Sequence, residues 1–302
     1  MIVFDKVCKS YGQKVAVNEV SIIVNSGELF GLIGPDGAGK SSLFRMLTTL
    51  ILPDSGSMTF QGHDVVEDYQ YVRSNVGYMP GSFSLYQDLT VEENLNFFAT
   101  LFGTTVKENY DLIRDIYVQI EPYKNRRAGA LSGGMKQKLA LCCALIHKPE
   151  VLVLDEPTTG VDAVSRKEFW EMLNRLKKGG LTILVSTAYM DEATLCDRVA
   201  LIQDGTIMAI DTPLELIQSF NHVLYAIKTD NNYAALKALQ QSDEFLQVQP
   251  FGDSIHVSTD APISEQMIND YLKENGVVMN DMHQAIPTIE DCFMDLMLTT
   301  ND

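Results

Sequence analysis

The stretch "GPDGAGKSS" at residues 34–42 decides the fold. It satisfies the pattern G-x-x-x-x-G-K-[ST]. Ahead of it runs "LFGLIG" (29–34), a short, wholly apolar strand, and behind it "KSSLFRMLTTLI", whose apolar spacing is that of a helix. A glycine-rich turn in that context is a cradle for phosphate. Gly34, Gly37 and Gly39 let backbone N–H groups curl around an anion at a helix N-terminus, with Ala38 and Ser42 completing the loop. Lys40 supplies a mobile positive charge, and the Ser41 hydroxyl can ligate Mg²⁺.

Working outward, "VLVLDEP" (151–157) is a second buried strand and ends in two carboxylates. Ligands of open α/β sheets bind at that carboxyl edge. Asp155 would hold Mg²⁺ directly or through water, and Glu156 is placed to polarise an attacking water, so Lys40 and Glu156 are the candidate catalytic pair. A third element, "LSGGMKQK" (131–138), puts Ser132, Gly133 and Gly134 at the opening of another helix. That too is an anion-binding arrangement.

Continuous apolar strands at 150–157, 181–187 and 199–207, separated by helical segments, predict a parallel sheet covered on both faces. The first 30 residues alternate apolar and polar positions and predict antiparallel strands. Between about 85 and 130 the pattern is helical, with Leu95, Phe98, Ala99 and Phe102 on one face and Leu112, Ile113, Ile116 and Ile120 on another. After "DTPLELIQSF" the order of elements becomes βαββαβ, the order of a ferredoxin-like unit. The predicted organisation is an α/β domain over 1–220 with a helical subdomain at about 85–130, and a small α+β domain over 221–302.

The net charge of −17 opposes binding to a phosphate backbone, so nucleic acid is not the expected partner. The longest apolar run is the eight-residue "LALCCALI", far short of a membrane span, and the N-terminus has no signal-peptide layout. A cytosolic location is expected. Five cysteines, odd in number and without disulfide or zinc spacing, read as reduced and mostly buried small hydrophobes.

Taken in order, the three motifs resemble the ATP-binding subunits of ABC transporters, "LSGGM" standing where that family has its signature. The resemblance covers residues 1 to about 220. It is finer for the ABC-2 export branch, close to daunorubicin-resistance and related multidrug exporters, through "SLYQDLTVEENL", "EPTTGVD" and the tail "PTIEDCFMDLM". It implies a P-loop NTPase fold with a RecA-like core, an antiparallel β-subdomain and a helical subdomain. It also implies ATP and Mg²⁺ as ligands, transmembrane permease subunits as partners, and a peripheral position on the cytoplasmic face of the membrane. Two such subunits would sandwich two ATP molecules, the signature of one completing the site of the other. By match, Tyr11 would stack on adenine or is a plain surface aromatic, and Asp162 would lie in the loop between the two sites. The segment "DLTVEENLNFFATLFG" would receive the permease or is core.

Two positions depart from the family pattern. After "ILVST" the family has a histidine that contacts the γ-phosphate, and here Ala188 stands. After "GYMP" it has a glutamine that coordinates Mg²⁺, and here Gly81 stands. Gln87, six residues on, belongs to another segment. Losing one preorganised contact of this kind costs on the order of 10²–10³ in rate. The expectation is an ATPase slow at its own site, which completes a more active site on a non-identical partner. A homodimer that tolerates both substitutions, a soluble ABC-type ATPase, and an ATP-sensing module without transport role are the alternatives.

Overall fold

The computed structural model describes residues 1–299. They form two units, the first spanning Met1–Pro213 and the second beginning at Leu214, a few residues before the boundary read from the sequence.

In the first unit, β1 (Ile2–Tyr11) and β2 (Lys14–Val24) make an antiparallel hairpin, and β3 (Leu29–Ile33) leads through the glycine loop into α1 (Lys40–Leu47). Next come β4 (Ser55–Phe60), β5 (His63–Asp64), α2 (Tyr69–Asn75) and β6 (Val76–Met79). The helical region holds α3 (Val91–Leu101), α4 (Tyr110–Tyr117) and α5 (Gly133–Leu145). The chain then returns to β7 (Val151–Asp155), α6 (Ala163–Lys178), β8 (Thr182–Thr187), β9 (Arg198–Gln203) and β10 (Thr206–Asp211). One sheet has the order β2-β1-β4-β5. The other has the order β10-β9-β3-β8-β7-β6, parallel from β9 to β6 with β10 antiparallel at its edge. Its central strands β3, β7 and β8 are buried at every position, which is why they read as unbroken apolar runs. Phe30, Leu32, Phe44, Met46, Phe60, Val153 and Leu184 share one core that joins the two sheets.

Three local expectations need correction. The run at 199–207 is a hairpin, because Asp204 and Gly205 both adopt positive φ (47° and 78°) and turn the chain between β9 and β10. The helix after the glycine loop stops at Leu47, with Thr49 at φ 60°. Phe102 lies past the end of α3 and is 38% exposed, whereas Val91, Asn94, Leu95 and Ala99 form the buried face. Helix α3 starts where it does because Thr90 and Glu93 form a capping box, Glu93 N–H donating to Thr90 Oγ1 and Thr90 N–H to Glu93 Oε2.

The second unit opens with α7 (Pro213–Gln218), whose first residue belongs to the preceding unit, and continues through β11 (Val223–Thr229), α8 (Asn232–Leu239), β12 (Gln247–Phe251), β13 (Ser254–Thr259), α9 (Glu265–Glu274), β14 (Met279–Gln284) and α10 (Ile289–Thr299). Its sheet has the order β12-β13-β11-β14 with every neighbouring pair antiparallel. Tyr225, Ile227, Leu239, Ile255, Val257, Ile268 and Leu272 fill its separate core.

The tail motif has a structural explanation within this unit. Asp291, fully buried in the first turn of α10, accepts bonds from Thr288 N–H (2.8 Å), Thr288 Oγ1 (2.7 Å) and Gln249 Nε2 (2.8 Å), and pairs with His256 Nδ1 at 2.8 Å. Burial alone would raise the Asp291 pKa. The bonds from His256 and Thr288 outweigh it and hold the carboxyl below its ordinary value. A depressed carboxyl contributes stability above its unfolded-state pKa and loses it as pH falls through the folded value, so this unit should weaken below about pH 4. Thermal melts of the full chain at stepped pH should show that loss. Asp291→Ala should lower the stability of the second unit by about 3–5 kcal/mol at neutral pH, the usual cost of stranding one partner of a buried pair.

Among the described residues no helix is long and apolar enough to cross a membrane. The cysteines are free; Cys142, Cys143, Cys196 and Cys292 are buried, and Cys8 is partly exposed. Burial pushes the four buried thiols up, Cys292 to about 12, which leaves them without nucleophilic character at neutral pH.

Candidate functional site

Strand β3 ends against β8, where Gly34 N–H donates to Thr187 O at 3.2 Å, and the loop 34–39 rises from that edge. Its glycines serve different ends. A Cβ on Gly34 would lie 2.1 Å from Ile202 O, and one on Gly39 would lie 2.2 Å from Ala16 O. Gly37 has open space around it but takes φ 83°, a conformation that favours glycine. The β9–β10 turn braces the loop, since Gly205 N–H donates to Ala38 O at 3.0 Å. Among the described residues the N–H groups of Gly37, Gly39, Lys40 and Ser41 meet no protein acceptor, a cluster of free donors at the N-terminus of α1. Ala38 contributes less than the sequence suggested. Its methyl is buried and its N–H is committed to Pro35 O.

Lys40 is 3% exposed, and its ammonium donates to Gly34 O (2.7 Å) and Pro35 O (2.9 Å), with Glu156 Oε1 at 3.3 Å. The lysine thus gathers the loop carbonyls and one carboxylate into a single site. Glu156 holds φ 49°, costly for a residue with a side chain, and two bonds from its N–H fix it there, to Ser186 O (3.1 Å) and Ser186 Oγ (3.0 Å). Beside it Asp155 Oδ1 accepts from Ser41 Oγ (3.0 Å) and Ser186 Oγ (2.7 Å). Ser186 was not singled out in the sequence, yet it touches both carboxylate residues.

This donor set fits Mg²⁺. A hydroxyl and a carboxylate meet at one point, both hard oxygen ligands, and such an ion takes its remaining ligands from water and substrate phosphates. Among the described residues no group of three or more His, Cys, Asp or Glu could hold a metal alone. Gly81 lies against Asp155: a Cβ there would stand 3.2 Å from the Asp155 backbone oxygen and 3.9 Å from its carboxyl carbon. Ala188 directly follows Thr187 at the end of β8. Neither position offers a side-chain donor.

Tyr11 is about half exposed, and its hydroxyl lies 3.4 Å from Ser42 Oγ, on the flank of the glycine loop. The remaining site candidates form a second group. Ser132 caps α5 by accepting from Met135 N–H, and Asp162 caps α6 by accepting from Ser165 N–H at 3.0 Å, a bond that holds the Asp162 carboxyl below its ordinary pKa. Their loops pack closely. A Cβ on Gly134 would lie 2.7 Å from Ser165 Oγ, and one on Gly133 would lie 3.6 Å from Gly160 O. Ser132 and Gly133 are exposed, and among the described residues no hydrogen bond or ion pair joins this group to residues 34–42.

The family model described as "ABC transporter" matches residues 17–159. The Burkholderia lata "Nod factor export ATP-binding protein I" is 41% identical over 219 residues, which cover 72% of this chain and 72% of that protein. The chain belongs to the ABC transporter ATP-binding proteins. A second family member, the Escherichia coli K12 "Probable multidrug ABC transporter ATP-binding protein YbhF", is 38% identical over 293 residues. That match covers 94% of this chain and 49% of the relative, so the chain spans about half the length of that relative. The solved "Structure of ATP binding subunit of ABC transporter" superposes with a TM-score of 0.66 at 26% identity, covering 73% of this chain and 93% of that one. The "Dimeric Structure of MJ0796, a Bacterial ABC Transporter Cassette", at 23% identity and TM-score 0.64, shares the fold over 70% of this chain and 98% of that cassette. ABC ATP-binding proteins are thus its relatives both in sequence and in fold.

Proposed function

We propose that this chain is the ATP-binding subunit of an ABC exporter whose own ATP site holds nucleotide and turns it over slowly. The observation that carries this reading is one sheet edge with two halves. The free N–H groups of Gly37, Gly39, Lys40 and Ser41, with the Lys40 ammonium and the Ser41 hydroxyl, supply what phosphate binding needs. Gly81 and Ala188, at the same edge, supply no donor for the transition state. Glu156, within reach of Lys40, is the group that would orient water and accept its proton. Magnesium, held by Ser41 and Asp155, would neutralise charge developing on the phosphates. Tyr11 would take the adenine.

Ser132 and Gly133, exposed, and Gly134 beside them are unconnected to the chain's own phosphate loop and fit the family arrangement in which the signature serves the opposite subunit. The retained signature beside a depleted site favours a non-identical partner. A relative about twice as long has room for a second unit of this size, which supports the same reading. Permease subunits would dock from the membrane onto the helical region. There a cleft of about 600 Å³ is lined by Tyr78, Phe83, Leu85, Phe98, Leu101 and Phe102, and Leu101 is 64% exposed. This supports a peripheral position on the cytoplasmic face. The second unit would be a regulatory or dimer-stabilising accessory domain, so deleting it should alter dimerisation or transport.

Ala188→His tests the depleted site. With enzyme in excess over ATP, single-turnover hydrolysis should rise about 10²-fold, the lower end of what one preorganised contact supplies. Gly81→Gln should help less, because its Cβ must displace Asp155 O by a few tenths of an ångström. Wild-type hydrolysis at an ordinary enzyme rate of about 1–10² s⁻¹ by the chain alone would sink the reading.

A further inference from the structure

Glu192 is the most deeply buried carboxylate of the first unit, 1% exposed, and the reading above gives it no task. It sits in the 3₁₀ turn Met190–Leu195, directly after Ala188 and Tyr189. Both of its oxygens are occupied. Oε1 accepts from Thr158 Oγ1 at 2.7 Å and lies 3.6 Å from Arg166 Nε, while Oε2 accepts from Thr187 Oγ1. Thr158 and Thr187 are each 1% exposed, so water cannot take over either bond.

The partners are the significant part. Thr187 O is the acceptor for Gly34 N–H, the first amide of the phosphate loop, and Thr187 Oγ1 also accepts from Tyr189 N–H at 3.0 Å. Thr158 lies in the loop that runs from Glu156 to Asp162, where Thr159 N–H bonds to Glu156 O and Val161 N–H to Thr158 O, both at 3.2 Å. Arg166, whose N–H donates to Asp162 O, lays its guanidinium 4.0 Å from the Tyr189 ring centre. One rigid carboxylate therefore connects the phosphate-loop edge, the segment after Ala188 and the 156–162 loop.

We propose that Glu192 is a positioning residue that transmits nucleotide occupancy of the phosphate loop to the 156–162 loop, the segment carrying both Glu156 and Asp162. The proposal rests on the ATP-binding reading above. Ala188 has no side-chain donor with which to make such a connection itself, so the burden falls on the hydroxyl–carboxylate–hydroxyl bridge one turn further on.

Hydrogen exchange of the full chain with and without Mg-ATP tests it, read separately over 34–42 and over 158–162. In the wild type, ATP should protect both segments. In Glu192→Gln, which keeps the shape of the side chain, protection over 34–42 should persist while the ATP-induced protection over 158–162 falls by roughly 2-fold to 30-fold, the span seen for residues that carry coupling. Thr158→Val, which removes one hydroxyl and leaves Glu192 in place, should give the same split should the first variant fold poorly. The double variant should add little to either. Equal loss over both segments, or protection over 158–162 unchanged in both variants, overturns the proposal, as does a wild type in which ATP protects 34–42 alone. A wild type with no ATP-induced protection over 34–42 overturns the ATP-binding reading itself, and the proposal with it.

Discussion

Gly39→Ala is expected to abolish nucleotide binding. Gly39 sits at φ 105°, in the region that side chains rarely adopt, and its new Cβ would stand 2.2 Å from Ala16 O. That oxygen belongs to backbone in β2, so no rotamer change relieves the overlap. Either the loop or the strand must move. The positive φ and the clash together should cost about 3 kcal/mol or more, in the range reserved for strain at special backbone positions. Movement of Gly39 also redirects the free N–H groups of Lys40 and Ser41, which follow it at the N-terminus of α1. Equilibrium titration with a fluorescent ATP analogue should show binding reduced beyond detection, while Gly37→Ala, free of any clash, should weaken binding only through its φ of 83°. Equal effects of the two substitutions would mean that the packing of Gly39 on β2 does not shape the site.

Glu156→Gln is expected to stop hydrolysis and spare binding. The amide keeps the length and shape of the side chain but cannot accept a proton from water. Removing a general base of this kind costs about 10²–10⁴ in rate. Lys40 loses the carboxylate charge at 3.3 Å yet retains Gly34 O and Pro35 O, so the loop stays closed around its ammonium. The backbone of residue 156 is held by Ser186 whatever the side chain, so φ 49° should persist. Single-turnover hydrolysis with radiolabelled ATP reads even a slow site. A variant within about threefold of wild type would assign the water-activating role elsewhere.

The phosphate site was legible from the sequence because its constraints are local. A buried strand, a glycine loop and a lysine that opens a helix occupy neighbouring positions, and each residue type follows from the backbone it must adopt or the charge it must carry. The Asp155–Glu156 strand end was legible for the same reason. What escaped was non-local. Glu192 reads as one more acid in "YMDEA", and its meaning appears only when Thr158, 34 residues away, and Thr187 close on its two oxygens. Ser186 reads as part of a strand end, yet its hydroxyl serves Asp155, 31 residues earlier in the chain. The His256–Asp291 pair spans 35 residues of chain, so the tail motif is visible as a pattern without its cause. One local signal was missed outright. The Asp204-Gly205 turn lies inside an apolar run that reads as a single strand, although that dipeptide marks a hairpin.

ATP held without rapid turnover is the property from which the other expectations follow. The measurement is equilibrium binding of Mg-ATP and steady-state hydrolysis, made on the same purified chain over a concentration series, with Lys40→Ala as the control for binding. Saturable binding that Lys40→Ala removes, together with turnover well below about 1 s⁻¹, is the predicted result. No binding, or turnover of about 1–10² s⁻¹ that rises as the chain self-associates, would contradict it.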